Sequence, residues 1–280
     1  MPTLTLSDGI GLHYEAWGDP EAPPVILLHG LTGDLRSWAE VVGPLSDAYR
    51  AIAVDLRGAG QSGAPEDPTT ATMARYADDI RELLDALGIE ICALAGCSFG
   101  AMVALQFATT WPGRVAALVA SDGSAARDHP AYDDAMRARE ARIDAMEALA
   151  ARKGMAALAQ QAAAAIHDPF LAAGVRAKYT RRSLDGFLAA CHARRTRPNL
   201  VPLLRQRLTM PVLLAWGERD ELGSAAAVMT AELPDARVRI FRGAGHGLPM
   251  VCGPAFAREL LDFFEAVEAG EPVAGQRMVE

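Results

Sequence analysis

Gly96-Cys97-Ser98-Phe99-Gly100 has the form G-x-S-x-G and lies between two apolar segments of different periodicity. Ile91 to Ala95 has the length of a buried strand, and Phe99 to Thr110 has helical spacing. In a strand-turn-helix of this form, glycines let neighbouring backbone approach, and the serine is held strained and exposed at the helix N-terminus. The pattern therefore predicts that Ser98 is a nucleophile; the alternative is an ordinary loop serine.

Apolar runs on both sides of this motif indicate that strands alternate with helices. The predicted strands are a hairpin at Leu4 to Leu6 and Leu12 to Trp17, followed by Val25 to Leu28, Ala51 to Val54, Ile91 to Ala95, Val115 to Ala120, Pro211 to Trp216 and Val238 to Phe241. The other helical periods span Thr72 to Leu87 and Ala255 to Val267. This alternation predicts an α/β fold with eight strands, a mostly parallel sheet and helices on both faces.

The alternation is interrupted after the sixth predicted strand. Residues 122–209 are rich in Ala and Arg and show helical periods without a strong strand. A segment of this length is too long for a loop, so we predict a helical cap at 122–209, inserted into a core formed by 1–121 and 210–270. Residues 271–280 are predicted to fray.

Composition narrows the class of protein. The chain has 280 residues, of which 51% are apolar and 22% charged, so disorder is excluded. A formal charge of −8 argues against a nucleic acid or an anionic membrane as the partner. The four cysteines lack metal-ligand spacing, and we expect neither a metal nor a cofactor. The first residues lack the features of a secretory signal, so a cytoplasmic location is expected. The sequence leaves a monomer and a homo-oligomer open.

A serine nucleophile needs a base, and the chain has six histidines. His246 lies in Gly243-Ala244-Gly245-His246-Gly247, a loop directly after a predicted strand, where α/β proteins place reacting groups. We therefore predict His246 as the general base. Ordinary structural or surface positions are expected for the remaining histidines, which are His13, His29, His129, His167 and His192.

The acid that orients the base is also expected after a strand. Asp220 follows Pro211 to Trp216, and the chain order Ser98, Asp220, His246 is the order of nucleophile, acid and base in this class of sheet. Asp122 is the main alternative because it follows another strand, and Glu218 is a further one.

The loop after the strand Val25 to Leu28 supplies the last predicted part of the site. It reads His29-Gly30-Leu31, and the backbone N–H groups of Leu31 and Phe99 would form an oxyanion hole. His29 is predicted to hold this loop in place and not to act as a second base.

Five motifs in this order resemble the α/β-hydrolase superfamily. They are His29-Gly30, Asp55-Leu56-Arg57-Gly58-Ala59-Gly60-Gln61-Ser62, Gly96-Cys97-Ser98-Phe99-Gly100, Gly217-Glu218-Arg219-Asp220 and Gly245-His246. Within the superfamily, the chain is most similar to small carboxylesterases and enol-lactonases of the 3-oxoadipate type. Ala59 and Val251 depart from residues often found in relatives, and both positions bear on substrate preference. Haloalkane dehalogenases and epoxide hydrolases of this fold use an aspartate where this chain has Ser98.

The resemblance implies a serine hydrolase that acts on a small carboxylic ester or lactone. Three alternatives remain open: a carbon–carbon bond hydrolase, a cofactor-free haloperoxidase, or a non-catalytic ligand receptor of the same fold. The stretch Arg176 to Arg207 contains nine basic residues and one acidic residue. It is either a solvated basic face or a surface that attracts an anionic substrate.

Overall fold

The computed structural model describes residues 2–164 and 166–280. Within these two segments, nine strands form one sheet in the order β1-β2-β4-β3-β5-β6-β7-β8-β9. The strands are β1 Thr3–Thr5, β2 Gly11–Trp17, β3 Pro24–Leu28, β4 Arg50–Val54, β5 Cys92–Cys97, β6 Val115–Ser121, β7 Val212–Gly217, β8 Arg237–Phe241 and β9 Gly275–Val279. The helices are α1 Ala39–Ser46, α2 Met73–Ala86, α3 Phe99–Thr110, α4 Asp134–Ala163, α5 Pro169–Thr180, α6 Leu184–Thr196, α7 Val201–Arg207, α8 Gly223–Glu232, α9 Leu248–Val251 and α10 Gly253–Glu268. Short 3-10 helices occur at Leu35–Trp38, Pro68–Thr70 and Pro112–Arg114.

The sheet is mostly parallel, as predicted. Strands β1 and β2 form an antiparallel hairpin, β2 pairs antiparallel with β4, and every other neighbouring pair is parallel. The carboxyl ends of the parallel strands therefore lie at one edge of the sheet, and the loops that follow them meet there.

Helices cover both faces of the sheet, which explains the continuous apolar runs in its central strands. In β3, Ile26 and Leu28 pack into a core layer with residues of α2 and α3. Val25 and Leu27, which alternate with them, pack into the opposite layer with residues of α1 and α10. The prediction of an α/β sheet with helices on both faces is confirmed.

Helices α4 to α7 lie between β6 and β7. Helix α4 is interrupted at Gly154, whose φ is +77°. From α7, Val201 and Leu204 join the core layer that contains α2 and α3. The segment predicted as a cap is thus helical. That residues 122–209 form a cap separate from the core stays a prediction.

The prediction of a frayed tail at residues 271–280 is wrong, and with it the count of eight strands. Strand β9 pairs in parallel with β8, and the Arg242 N–H donates to the Val279 carbonyl at 2.9 Å. The physical reason lies in the neighbours of the tail. Without β9 the backbone groups on the outer side of β8 would be unpaired, and Glu259 of α10 binds both Arg239 and Arg277.

Among the helices of the described segments, none combines the length and the apolar character needed to cross a membrane.

Gly186 of the predicted cap packs closely against Gly58 of the predicted core. A Cβ atom at Gly186 of α6 would lie 2.0 Å from the Gly58 carbonyl oxygen, so we expect Gly186→Ala to destabilise the protein by about 1–3 kcal/mol through overpacking. The matched control is Gly174→Ala in α5, where a Cβ would meet nothing within 4 Å. Urea unfolding measures both, and the control should be neutral or more stable. Equal midpoints for the two variants would contradict the close contact.

Candidate active site

Ser98 stands at the turn between β5 and α3 in a conformation that only tight packing maintains. Its φ and ψ are 56° and −113°, a region that side chains other than glycine rarely adopt. A Cβ at Gly96 would lie 2.3 Å from the Gly100 carbonyl oxygen, and one at Gly100 would lie 2.1 Å from the Leu28 carbonyl oxygen. The two glycines of the G-x-S-x-G motif therefore permit the close backbone packing around the serine.

Loops that follow three different strands bring Ser98, Asp220 and His246 together. His246 Nε2 lies 2.8 Å from Ser98 Oγ, and His246 Nδ1 lies 2.8 Å from Asp220 Oδ2. An ionised carboxylate only accepts hydrogen bonds, so Nδ1 carries the proton that it donates to Asp220. Nε2 of the neutral ring then has a lone pair with which to accept the Ser98 hydroxyl proton.

Both alternatives for the acid lie close to this arrangement but make other contacts. Asp122 Oδ2 accepts the Leu248 N–H at 2.9 Å, and Glu218 Oε2 accepts the Gly243 N–H at 2.8 Å. Each carboxylate thus braces part of the segment that carries His246, whereas Asp220 binds the imidazole itself.

Asp122 and Asp220 form a buried pair of carboxyl groups whose pKa values are shifted in opposite directions. Complete burial raises the pKa of Asp122 to about 7, and the nearby Asp220 adds to this effect. Burial also opposes ionisation of Asp220, but the hydrogen bond to His246 and the charge of the imidazole outweigh it and hold the pKa of Asp220 below its usual range. Because two adjacent carboxylates repel, Asp220 is the member of the pair that stays ionised.

The raised pKa of Asp122 predicts a pH dependence of stability. The folded state binds a proton at Asp122 that the unfolded chain releases near pH 4, so this group lowers the free energy of unfolding as the pH rises from about 4 to 7. Asp122→Asn should remove that slope, because the amide stays neutral. Urea unfolding of both proteins at pH 5 and pH 8 tests this, and we expect the variant to gain stability relative to the parent at pH 8. If Asp122→Asn and the parent differ in free energy of unfolding by the same amount at pH 5 and at pH 8, the raised pKa of Asp122 is contradicted.

The loop predicted to supply an oxyanion donor lies against the serine. A Cβ at Gly30 would be 3.3 Å from Ser98 Cβ. The buried His29 ring holds this loop, since Nδ1 lies 2.8 Å from the Gly30 carbonyl oxygen and Nε2 accepts the Leu56 N–H at 3.0 Å. Burial lowers the pKa of His29 to about 4, which keeps the ring neutral and able to accept that bond. His29 thus has the structural position predicted for it.

The second predicted oxyanion donor is the backbone N–H of Phe99. Phe99 is the first residue of α3, where backbone N–H groups have no partner within the helix.

A cavity of about 170 Å³ opens beside Ser98 and His246. Its wall combines the His29-Gly30-Leu31 loop with side chains of α4, α5 and α9. The lining residues are Gly30, Leu31, Thr32, Ser37, Cys97, Ser98, Arg139, Ile143, Met146, Tyr179, His246, Gly247, Pro249 and Met250. Of the remaining histidines, neither His13 nor His129, His167 or His192 belongs to this wall.

Arg139 lies beside the catalytic candidates and was not among the residues predicted from the sequence. It lies on α4, its side chain lines the cavity, and its Nη2 is 3.1 Å from His246 Nε2. A signal was present in the sequence, because Met136, Arg139 and Ile143 recur at the spacing of one helix face. An arginine in an apolar stripe of this kind indicates a buried charge with a specific task.

Four of the nine basic residues between Arg176 and Arg207 form ion pairs in the described segments. Arg194 and Arg197 bind Glu140, and Arg195 binds Glu147. The fourth is Arg205, which lies 3.9 Å from Glu232. Three other members, Lys178, Arg181 and Arg182, line a second cavity of about 370 Å³ that shares Thr32 with the first. The attraction of an anionic substrate by this stretch stays a prediction.

Asp122, Asp220 and His246 are also the residues that come nearest to a metal-binding set in the described segments. Their ligand atoms lie within 4.8 Å of one another. The His246 Nδ1–Asp220 distance of 2.8 Å is that of a charge-assisted N–H···O hydrogen bond, so the set fits a proton better than a cation. The expectation that the protein binds neither metal nor cofactor stays a prediction.

Comparison with known proteins relates this geometry to a family. A family profile described as alpha/beta hydrolase fold matches residues 23–251. The 2-(acetamidomethylene)succinate hydrolase of Mesorhizobium japonicum is 33% identical over 254 residues, which are 87% of this chain and 88% of that protein. Epoxide hydrolase 2 of Siraitia grosvenorii is 39% identical over 139 residues, which are 49% of this chain and 43% of that protein. The chain thus spans less than half the length of that epoxide hydrolase and less than two thirds of several other curated relatives.

Solved structures share the whole fold. One described with the carboxylesterases of the ammonia-oxidizing thaumarchaeon Nitrososphaera gargenis superposes with a TM-score of 0.84 at 25% identity. The match covers 96% of this chain and 100% of that chain. The similarity therefore includes the segment between β6 and β7 as well as the sheet.

Proposed function

This chain belongs to the α/β-hydrolase family, and from that premise we propose that it is a serine hydrolase that cleaves a carboxylic ester or lactone through an acyl-enzyme on Ser98. One observation carries the proposal: the His246 ring lies between Ser98 Oγ and Asp220 Oδ2, with 2.8 Å to each. The small cavity in contact with the serine is where the scissile carbonyl would sit.

The proposed reaction proceeds in two stages. Nε2 of His246 takes the Ser98 proton as Oγ attacks the carbonyl carbon, and the N–H groups of Leu31 and Phe99 hold the oxygen that becomes negative. The imidazolium then protonates the leaving alkoxide, which departs and leaves an ester on Ser98. Water attacks that ester with His246 again as the base, and the acid is released. Asp220 holds the ring in the required tautomer and stabilises its charged form throughout.

The nature of the nucleophile favours an acyl substrate over an epoxide. Serine attack on an epoxide would leave an alkyl ether, which has no carbonyl for water to attack, so the enzyme could not turn over. Attack on an ester or lactone leaves an acyl-serine that water can hydrolyse. Epoxide hydrolases appear among the relatives, and Ser98 separates this chain from the aspartate-based chemistry that the family uses for epoxides.

The nucleophile can be identified directly. With p-nitrophenyl acetate as the substrate, we expect release of p-nitrophenol and, by mass spectrometry of the protein quenched in acid, an acetyl group on the peptide that contains Ser98. Ser98→Ala should abolish both, because the alanine has no oxygen to acylate. Ser46→Ala at the end of α1 is the matched control and should retain both.

Failure of the parent protein to turn over any ester in a panel of esters and lactones would contradict the proposal and favour a ligand receptor of the same fold. Turnover that persists in Ser98→Ala would place the chemistry elsewhere.

The two buried acids should differ in their effect on catalysis. Asp220→Asn is expected to lower kcat by roughly 10⁴, since an amide at this position favours the wrong imidazole tautomer. Asp122→Asn should cost far less, because Asp122 binds the backbone of Leu248 and not the ring. Steady-state kinetics on p-nitrophenyl acetate, with folding checked by circular dichroism, measures both. A greater loss in Asp122→Asn would assign the acid to the loop after β6.

A further inference from the structure

Arg139 is buried beside the proposed reaction centre without an anionic partner. Its side chain is 7% exposed and lines the cavity that contains Ser98. Nη2 lies 3.1 Å from His246 Nε2, and Nη1 is buried with no hydrogen-bond partner. In the part of the chain that the structure describes, no carboxylate lies within 4.0 Å of this guanidinium to form an ion pair.

Other buried arginines of the protein show how unusual this is. Arg57 binds Asp79 and Asp8, and Arg194 and Arg197 both bind Glu140. Their terminal nitrogens bind carboxylates or carbonyl oxygens. Arg182 and Arg237 form no ion pair in the described segments, but they donate to backbone carbonyl oxygens. Among the buried arginines of these segments, only Arg139 has a buried terminal nitrogen without a hydrogen-bond partner. Burial lowers the pKa of Arg139, and the more distant charges of Asp220, Glu140 and Glu221 offset this effect only in part. A charge left in this state is suited to a partner that arrives from outside.

The contact between Arg139 and His246 cannot persist through the proposed reaction. Nε2 of a neutral imidazole has a single lone pair, and it is the lone pair that must accept the Ser98 proton. Arg139 Nη2 and Ser98 Oγ both lie within hydrogen-bond distance of this one atom. Productive attack therefore requires the guanidinium to give up Nε2, and an anion bound to Arg139 would draw it away.

We propose that Arg139 binds a carboxylate of the substrate, so that the preferred substrates are small esters or lactones that carry a carboxylate a few bonds from the scissile carbonyl. The inference rests on the proposed function and specifies the substrate class of the same site. A planar guanidinium can hold a carboxylate through two parallel N–H···O bonds, which fixes the orientation of the substrate as well as its charge.

The rest of the cavity agrees with one anionic group on an otherwise small, apolar substrate. Acidic side chains are absent from the described lining, and Leu31, Ile143, Met146 and Met250 supply apolar surface. At about 170 Å³, the cavity has the volume of about six water molecules in the liquid.

The neighbouring cavity does not compete for this role, because its cations are mixed with anions. Lys178, Arg181, Arg182 and Arg36 share its wall with Glu15, Asp34 and Asp55. Arg36 and Asp34 bind each other, so part of this charge is already neutralised.

Two methyl esters separate a carboxylate-binding role from a structural one. Monomethyl succinate carries the carboxylate, and methyl 4-oxopentanoate replaces it with an acetyl group of similar size. Proton release at constant pH reports hydrolysis of both. In Arg139→Met, we expect kcat/KM for monomethyl succinate to fall by about 10- to 100-fold, the range for a hydrogen bond to a charged group. Methyl 4-oxopentanoate cannot form this ion pair, so its kcat/KM should change far less, and the ratio of the two kcat/KM values should fall.

Two further variants sharpen the comparison. Arg142→Met removes a basic residue one turn along α4 that binds Glu221 at the surface, so the ratio between the two esters should stay at its parental value. Arg139→Lys keeps the charge without the planar fork and should recover part of the preference for the anionic ester. If Arg139→Met fails to fold, Arg139→Gln provides the neutral side chain.

A binding measurement keeps this inference distinct from the proposed function. Calorimetric titration of Ser98→Ala with succinate, and with succinamide as the neutral control, requires no turnover. We expect succinate to bind and the affinity to fall by about 10- to 100-fold when Arg139→Met is added. If the parent hydrolyses no member of the panel of esters and lactones while this loss of affinity is found, the proposed function fails and the anion site stands. Equal losses of kcat/KM on the two esters, or succinate binding that is insensitive to Arg139, would overturn the inference.

Discussion

The contact between the backbone of α3 and that of β3 is the constraint on which the rest of the site depends. Gly100 lies so near the Leu28 carbonyl that no side chain fits between them, and Gly96 is equally close to the Gly100 carbonyl. The helix can therefore start immediately after the strand, with Ser98 at the corner in a strained conformation. Strain of this kind persists only where the surrounding packing outweighs it, and here the apolar layers on both faces of β5 and β3 provide that packing.

A second constraint holds α4 in place against α6 within the predicted cap. Arg139 and Glu140 are consecutive on α4, and they point to different partners. Glu140 is buried and binds Arg194 and Arg197, which ties α4 to α6 and to the residue that follows it. Since these charges are almost completely removed from water, loss of one partner would leave the others uncompensated, so the network is specific in its geometry. The same helical turn that is anchored in this way carries Arg139 to the cavity.

The ends of neighbouring strands supply groups whose ionisation is mutually dependent. Asp122 follows β6 and Asp220 follows β7, and the two strands are adjacent and parallel, so their carboxyl groups come close together. Burial favours the neutral form of Asp122, while the imidazole favours the ionised form of Asp220. At a pH below about 7 the buried pair thereby carries a single negative charge, on the carboxylate that binds His246, and avoids the repulsion of two.

The local pattern of the sequence was sufficient to predict the first eight strands of the sheet and the residues at their ends. Glycine spacing and apolar runs follow directly from backbone sterics and burial, so the amino-acid sequence alone was enough to predict that Ser98, Asp220 and His246 lie close together. Three features depended on contacts between distant segments and could not be predicted in this way. Strand β9 forms because β8 offers an unpaired edge and Glu259 offers a charge, neither of which is visible in residues 271–280. The ion pairs of Arg194 and Arg195 in the predicted cap could not be predicted, because their partners Glu140 and Glu147 lie about 50 residues away in the chain. Arg139 met His246 across 107 residues of chain; only the folded structure decides which buried charge is left without a partner.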